Sequence, residues 1–230
     1  MFAGQAHHLL LQGHDHHAIF RDDQDHLQFL HWLREAARQF QVGIHAYVLM
    51  ADQVHLLATP GESTSLSRMM QWIGRHYVPY FNRRHGRAGT LFQGRFKASV
   101  VEAGPYLMDC CRYIESTPLR LGLVVSLSEF PWSSYAHHAG TTADPLITDL
   151  LVYWSLGNTP FQREAAYRHA MEQGMSASGV AHINASVLKG WPIGSPQFQS
   201  QLAQQTGRRI GPGKRGRPLK SEAATVTHLK

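Results

Sequence analysis

Apolar positions along this chain switch between two spacings, and the switches outline its elements. Ala6 to Leu11 (AHHLLL) reads as a short strand that Gly13 ends. From about Asp22 to Gln39, apolar residues fall at Leu27, Leu30, Leu33, Ala37 and Phe40, the three-and-four step of one buried helical face. Asp22, Asp23 and Asp25 stand in its first turn, where carboxylates suit the helix dipole. After Gly43, the runs Ile44–Met50 and Val54–Thr59 flank Ala51, Asp52 and Gln53 and predict an antiparallel pair. A second helix is predicted over Ser65–Arg84, capped by Ser63 or Thr64. Leu66, Met69, Met70, Ile73 and Tyr77 form its inward stripe, and Arg68, Arg75, Arg83 and Arg84 cover the rest. Residues 86–94 form a loop, and Phe96–Glu102 is a fourth strand with Arg95 and Lys97 at its start. A shorter helix follows from Pro105 to about Ser116, with Pro118 expected to stop it. Strand, helix, strand, strand, helix, strand, helix predicts an α+β domain: one antiparallel sheet with packed helices.

The texture changes after Phe130 to Tyr135 (FPWSSY). Residues 1–135 read as the first domain. Residues 146–206 read as a small helical extension whose short helices are separated at Gly157-Asn158, Gly174 and Gly190-Trp191-Pro192. Residues 207–230 form a basic tail (GRRIGPGKRGRPLK and beyond), too rich in Gly, Pro and Arg to pack and expected to be disordered when unbound. With 230 residues and 43% apolar content, a core can be built, but no apolar run approaches the ~18–20 residues of a membrane span, so no membrane partner is expected. The opening MFAGQAHHLLLQGHDHH has no basic start, sustained apolar stretch or cleavage site, which argues against secretion. The only cysteines, Cys110 and Cys111, are adjacent and do not suit a disulfide framework, so a reducing cytoplasm is the expected compartment.

Locating the charge changes the picture. Residues 1–67 carry net −4, 68–120 net +6, 121–207 net −2 and 208–230 net +6. Two separated basic segments point to a polyanion, most often nucleic acid.

Three features could carry chemistry. Gln53 and His55 begin a strand and alternate onto the same face, one pleat apart, where an imidazole and an amide oxygen can share a divalent cation such as Mg²⁺ or Mn²⁺. Tyr113 lies on the helix after the basic strand, with Asp109, Cys110 and Thr117 on its face. A tyrosine there could attack a phosphodiester, provided positive charge or metal favours the phenolate. In the tail, Arg215-Gly216-Arg217-Pro218 resembles the AT-hook, whose extended arginines fit the narrow minor groove of A·T-rich duplex. The five histidines His7, His8, His14, His16 and His17 form no metal spacing and read as surface or strand residues.

The segments HAYVLMADQVHLLATP, LSRMMQWIGRHYVPYFNRRHGRAGTLFQGRFKAS, YLMDCCRYIESTPLRLGLV and FPWSSY resemble, in order, the REP-associated tyrosine transposases, a branch of the single-tyrosine HUH transposases of bacterial insertion sequences. The likeness runs from about Ala6 to Tyr135 and extends to GWPIGSPQF and the GRR…GKRGRP ending. It implies a ferredoxin-like sheet with a His-hydrophobic-His pair on a central strand and a nucleophilic tyrosine on a helix beside it. It further implies metal-dependent nicking and joining of single-stranded DNA near hairpins, through a 5′-phosphotyrosine link and a free 3′-OH. On that resemblance Tyr113 is the nucleophile, and His55, Gln53 and Thr117 hold Mg²⁺ or Mn²⁺. Arg75, Arg83, Arg84, Arg95, Lys97, Arg112 and Arg120 are candidate backbone contacts, Arg215 and Arg217 are candidate contacts to A·T-rich duplex through the tail, and the expected setting is the bacterial cytoplasm, at the nucleoid. The chain departs from the family at Gln53, where the first metal His stands, at Thr117, four residues after the tyrosine, and at Gln12-Gly13-His14, where the family has Arg-Gly-Asn. The alternative reading is a hairpin-DNA-binding protein that keeps the fold and has lost catalysis. The residues carry no signal that separates a monomer from a dimer.

Overall fold

A computed structural model describes residues 1–207; the basic tail, with Arg215 and Arg217, lies outside the described residues. The elements run β1 (His7–Gln12), α1 (Asp23–Gln39), β2 (Val42–Met50), β3 (Gln53–Pro60), α2 (Ser65–Arg84), β4 (Lys97–Val100), α3 (Pro105–Glu115), α4 (Thr117–Arg120), α5 (Tyr135–His138), α6 (Leu151–Trp154), α7 (Pro160–Glu172), α8 (Ala177–Lys189) and α9 (Pro196–Thr206). The four strands form one antiparallel sheet in the order β2-β3-β1-β4. With α1 crossing from β1 to β2 and α2 from β3 to β4, this is the ferredoxin-like βαββαβ arrangement.

Alternation along the strands gives the sheet two apolar faces. Leu9, Leu11, Val54, Leu56 and Ala58 pack with Phe29, Leu33, Met69, Ile73 and Tyr77 of α1 and α2. Leu10, Leu57 and Val101 face the other way, into a second core shared with Cys110, Cys111, Tyr113 and Ile114 of α3 and with Ile183 and Val187 of α8. Both cysteines are therefore buried and unpaired. The extension thus contributes to the layer that holds Tyr113.

Two local expectations are corrected. Leu27 is exposed, and Phe29 and Ala36 take the inward positions of α1, with Asp25 and His26 also buried because the helix start packs against the end of α2. The α3 helix does end ahead of Pro118, at Glu115, but Pro118 then occupies the first turn of a separate short helix, α4, where a loop was expected to begin. Gly13, at the end of β1, is needed for close approach: a Cβ there would come within 2.1 Å of the His17 carbonyl.

Glu115, at the end of α3 and wholly buried, ties the two regions together. It accepts from Ser134 Oγ, from His138 Nδ1 at 2.7 Å and from Tyr167 Oη of α7 at 2.6 Å. Burial works against protonation of His138, but the charge and hydrogen bond of Glu115 outweigh it and raise the pKa. Glu115→Ala removes one partner of a buried ion pair and strands three donors, so it is expected to cost about 3–5 kcal/mol in urea unfolding. Glu115→Gln, which keeps the acceptor oxygen, should cost less.

Candidate active site

Register places a polar island under α3. Across the sheet, Leu10 stands between His55 on β3 and Lys97 on β4, while Gln12 pairs with Gln53, so His55, Lys97, Gln12 and Gln53 share one face. Lys97 Nζ donates to Gln12 Oε1 at 3.3 Å. His8 is on the same face, next to Leu57 and Ser99 in register. Its Nε2 lies 2.9 Å from His55 Nδ1, and both rings are buried. Burial, with the positive charge of Arg120 added, pushes the His55 pKa down to about 3. The same burial, then the charges of His55 and Arg120, hold His8 well below the usual imidazole range. Both are neutral imidazoles at physiological pH, the form that can act as a ligand.

Tyr113 comes down from α3 onto this pair, its ring centroid 5.7 Å from that of His8 and 6.0 Å from that of His55, edge-on to each. Its hydroxyl donates to Asn184 Oδ1 of α8 at 3.3 Å. Burial raises the phenol pKa, while the charge and a hydrogen bond of Arg120 pull it down. Arg120 Cζ sits 4.1 Å from the Tyr113 ring centroid, in cation–π contact. The guanidinium is held there from below: Nη2 donates to the Tyr113 carbonyl and to Thr117 Oγ1, both at 2.7 Å, and Nε to Ser116 Oγ at 3.1 Å. The α3–α4 junction that Pro118 permits is what brings Arg120 back over the tyrosine.

Several expected site residues sit elsewhere or are already engaged. Thr117, expected in the metal shell, has its hydroxyl engaged: it donates to the Tyr113 carbonyl at 2.9 Å and accepts from Arg120 at 2.7 Å. Arg84, expected as a DNA contact, pairs with Asp22 and Asp25 at 2.7 Å each. Arg112 is likewise occupied, donating to the Ala170 and Gly174 carbonyls and fastening α3 to the end of α7. Arg75 and Arg83 are exposed on α2, across the sheet from Tyr113. Arg95 is exposed and lines a groove with Arg68, Phe92 and Phe96. His8 and Asn184 were missed from sequence; His8, read as a surface or strand histidine, is among the most buried residues of the site.

The donor set at His55 fits a divalent ion with few protein ligands. His55 Nδ1 is engaged by His8, so Nε2 is the nitrogen through which His55 could bind an ion, and Gln53 carries an amide oxygen on the same sheet face; these are donor types that Mg²⁺ or Mn²⁺ accepts. A second cluster, His137, His138 and Asp149, has ligand atoms within 4.8 Å of one another. Hydrogen bonds account for it. The Asp144 N–H donates to His137 Nδ1 at 3.1 Å, which puts the His137 proton on Nε2, facing Asp149 at 3.1 Å.

Tyr113 thus sits on a helix laid over a strand histidine of a ferredoxin-like sheet, with the Arg120 guanidinium against its ring. Residues 3–117, half of the chain, match the family described as "Transposase IS200 like", and the protein belongs to that family. Among solved structures it is similar to the REP-associated tyrosine transposase bound to a REP hairpin, at 16% identity over 66% of this chain and 88% of that one, with a TM-score of 0.49. It is also similar to a candidate transposase from Deinococcus radiodurans R1, at 19% identity over 54% of this chain and 91% of that one, with a TM-score of 0.36. No curated protein matches the sequence. Among the described residues, no helix is long and apolar enough to cross a membrane.

Proposed function

We propose that this protein binds hairpin-bearing single-stranded DNA, as a REP-associated transposase would, and nicks it with Tyr113 as the nucleophile. The observation that carries this reading is the stacking of Tyr113 between the neutral His8–His55 pair and the Arg120 guanidinium. The Tyr113 Oη–phosphorus bond forms as the bond from phosphorus to the 3′-oxygen breaks, giving a 5′-phosphotyrosine and a 3′-hydroxyl. The phenol proton leaves to solvent, and the departing oxygen takes one up. Arg120 favours the phenolate by its charge and faces the phosphate that approaches it. Bound at His55 Nε2 and Gln53 Oε1, Mg²⁺ or Mn²⁺ would supply Lewis-acid polarisation of the scissile phosphate. The setting is the bacterial nucleoid, where such DNA is found.

The test is incubation with an end-labelled hairpin strand and Mn²⁺, then a denaturing gel. A labelled adduct that forms with Mn²⁺ and not with EDTA supports the reading. Intact strand bound by the protein under both conditions supports the second reading, a hairpin-binding protein with impaired catalysis. That reading is favoured by the neutral Gln53 amide and by the engagement of Thr117 with Arg120.

The binding surface is drawn from Arg95 and Lys97, whose charges no carboxylate of the described residues neutralises. Arg95 is exposed beside Phe92 and Phe96, a pairing of guanidinium and aromatic faces on which unpaired bases stack. Arg95→Ala with Lys97→Ala is expected to weaken hairpin binding and lower the slope of log affinity against log salt by about 1 for each phosphate no longer neutralised. Arg215→Ala with Arg217→Ala should instead reduce affinity for A·T-rich duplex, the task proposed for the tail. Filter binding across a salt series reads both.

A further inference from the structure

The His8–His55 contact constrains how His55 can hold an ion. A neutral imidazole has one N–H and one lone pair. At 2.9 Å, the His8 Nε2 to His55 Nδ1 contact must contain one of each. If the shared proton belongs to His8, His55 carries its own proton on Nε2 and has no lone pair there. If it belongs to His55 Nδ1, Nε2 is a bare lone pair. Only the second arrangement leaves His55 able to bind a cation, and it requires an acceptor where His8 Nε2 stands.

The pair is also poorly explained as packing. His8 is wholly buried, and its Nδ1 has no hydrogen-bond partner. In either arrangement the pair leaves one buried polar atom orphaned, at a cost of about 1–3 kcal/mol. An apolar residue in the position of His8, among Leu10, Leu57 and Tyr113, would avoid that cost. A polar pair kept at a loss, beside a tyrosine, belongs to the chemistry of the site.

We propose that His8 is the positioning residue of the metal site: when His55 Nε2 takes the divalent ion, His8 Nε2 accepts the Nδ1–H of His55 and fixes both its tautomer and its ring. This rests on the reading of His55 as a metal ligand. It also gives the chain, from a neighbouring strand, a second imidazole in a site where Gln53 supplies only an amide. Ligand histidines ordinarily give their other N–H to a carboxylate, a carbonyl or water, and losing that acceptor typically weakens metal binding 10–100-fold.

The experiment is Mn²⁺ titration of the full-length protein without DNA, with free Mn²⁺ read by EPR. The variants are His55→Ala, His8→Phe and His8→Gln, with folding checked by circular dichroism. Site-specific binding lost in His55→Ala, weakened at least 10-fold in His8→Phe and partly recovered in His8→Gln is the expected result. In ¹⁵N spectra with Mg²⁺, His55 Nδ1 should resonate as N–H and Nε2 as a bare nitrogen. Binding lost in His55→Ala but unchanged within two-fold in folded His8→Phe and His8→Gln would overturn the role of His8 alone. Binding unchanged in His55→Ala would overturn it together with the metal reading. If His8→Phe does not fold, His8→Gln and the ¹⁵N assignment still decide, and a proton found on His55 Nε2 with Mg²⁺ present refutes the proposal.

Discussion

Tyr113→Phe is expected to lower the yield of covalent DNA adduct by at least about 10³-fold while leaving hairpin affinity within about two-fold. The substitution removes the attacking oxygen and little else. Phenylalanine keeps the ring that Arg120 covers at 4.1 Å and that meets His8 and His55 edge-on. Only the hydroxyl bond to Asn184 at 3.3 Å disappears, worth about 0.5–1.5 kcal/mol in a site that burial already makes costly for a polar group. Affinity should persist because the cations proposed to meet phosphate, Arg95, Lys97 and Arg120, are untouched. The measurement is the denaturing gel for adduct and filter binding for affinity, with Gln53→His run beside it. Adduct in Gln53→His but not in the wild type would identify a nuclease that decayed at one ligand and kept its DNA-binding fold. Adduct persisting in Tyr113→Phe would place the nucleophile elsewhere.

The fold was legible because its elements are written locally. Period-two and period-3.6 spacing gave four strands and three principal helices, and Ser65–Arg84 falls on the observed α2. What was not legible depends on partners distant in sequence. Arg84 reads as an outward-facing charge on its own helix, yet Asp22 and Asp25 wait some sixty residues upstream. Arg112 is drawn inward by carbonyls at the end of α7. Thr117 matches a ligand position by its spacing from Tyr113, but the chain turn at Pro118 returns Arg120 to the same hydroxyl. Tyr113 and His55 were legible as a candidate site because each belongs to a long collinear motif. His8 was not, because a strand histidine shows its role only once the β1–β3 register sets it diagonally from His55. The alternation of AHHLLL did hold the signal that would have found it: with Leu9 and Leu11 facing one layer, His8 must face the other.

Acidification should unfold this protein through the same buried rings. Burial lowers the pKa of His7 to about 4 and of His55 to about 3, and holds His8 well below its ordinary value. His26 and His45 are lowered too, again chiefly by burial. The unfolded chain takes up a proton at each near pH 6.5, and the folded chain does so only at much lower pH, so the unfolded state binds more protons in between. Stability from these rings is complete above about pH 6.5 and is lost as pH falls towards their folded values. Between pH 7 and 5, a ring that stays neutral in the fold costs about 2 kcal/mol, so His7, His8 and His55 together cost on the order of 5 kcal/mol, comparable to the net stability of a domain. His138 has the opposite sign. Its pKa is raised against burial by Glu115, so its contribution is full below about pH 6.5 and is lost as pH rises through the raised value. The melting temperature should therefore fall by roughly 10–20 °C between pH 7 and 5 at constant ionic strength. His8→Gln should flatten that fall by removing one ring from the count. A melting temperature unchanged across this range would mean that the rings accept protons in the folded state. The neutral state of the His8–His55 pair would then follow from working pH alone and not from burial.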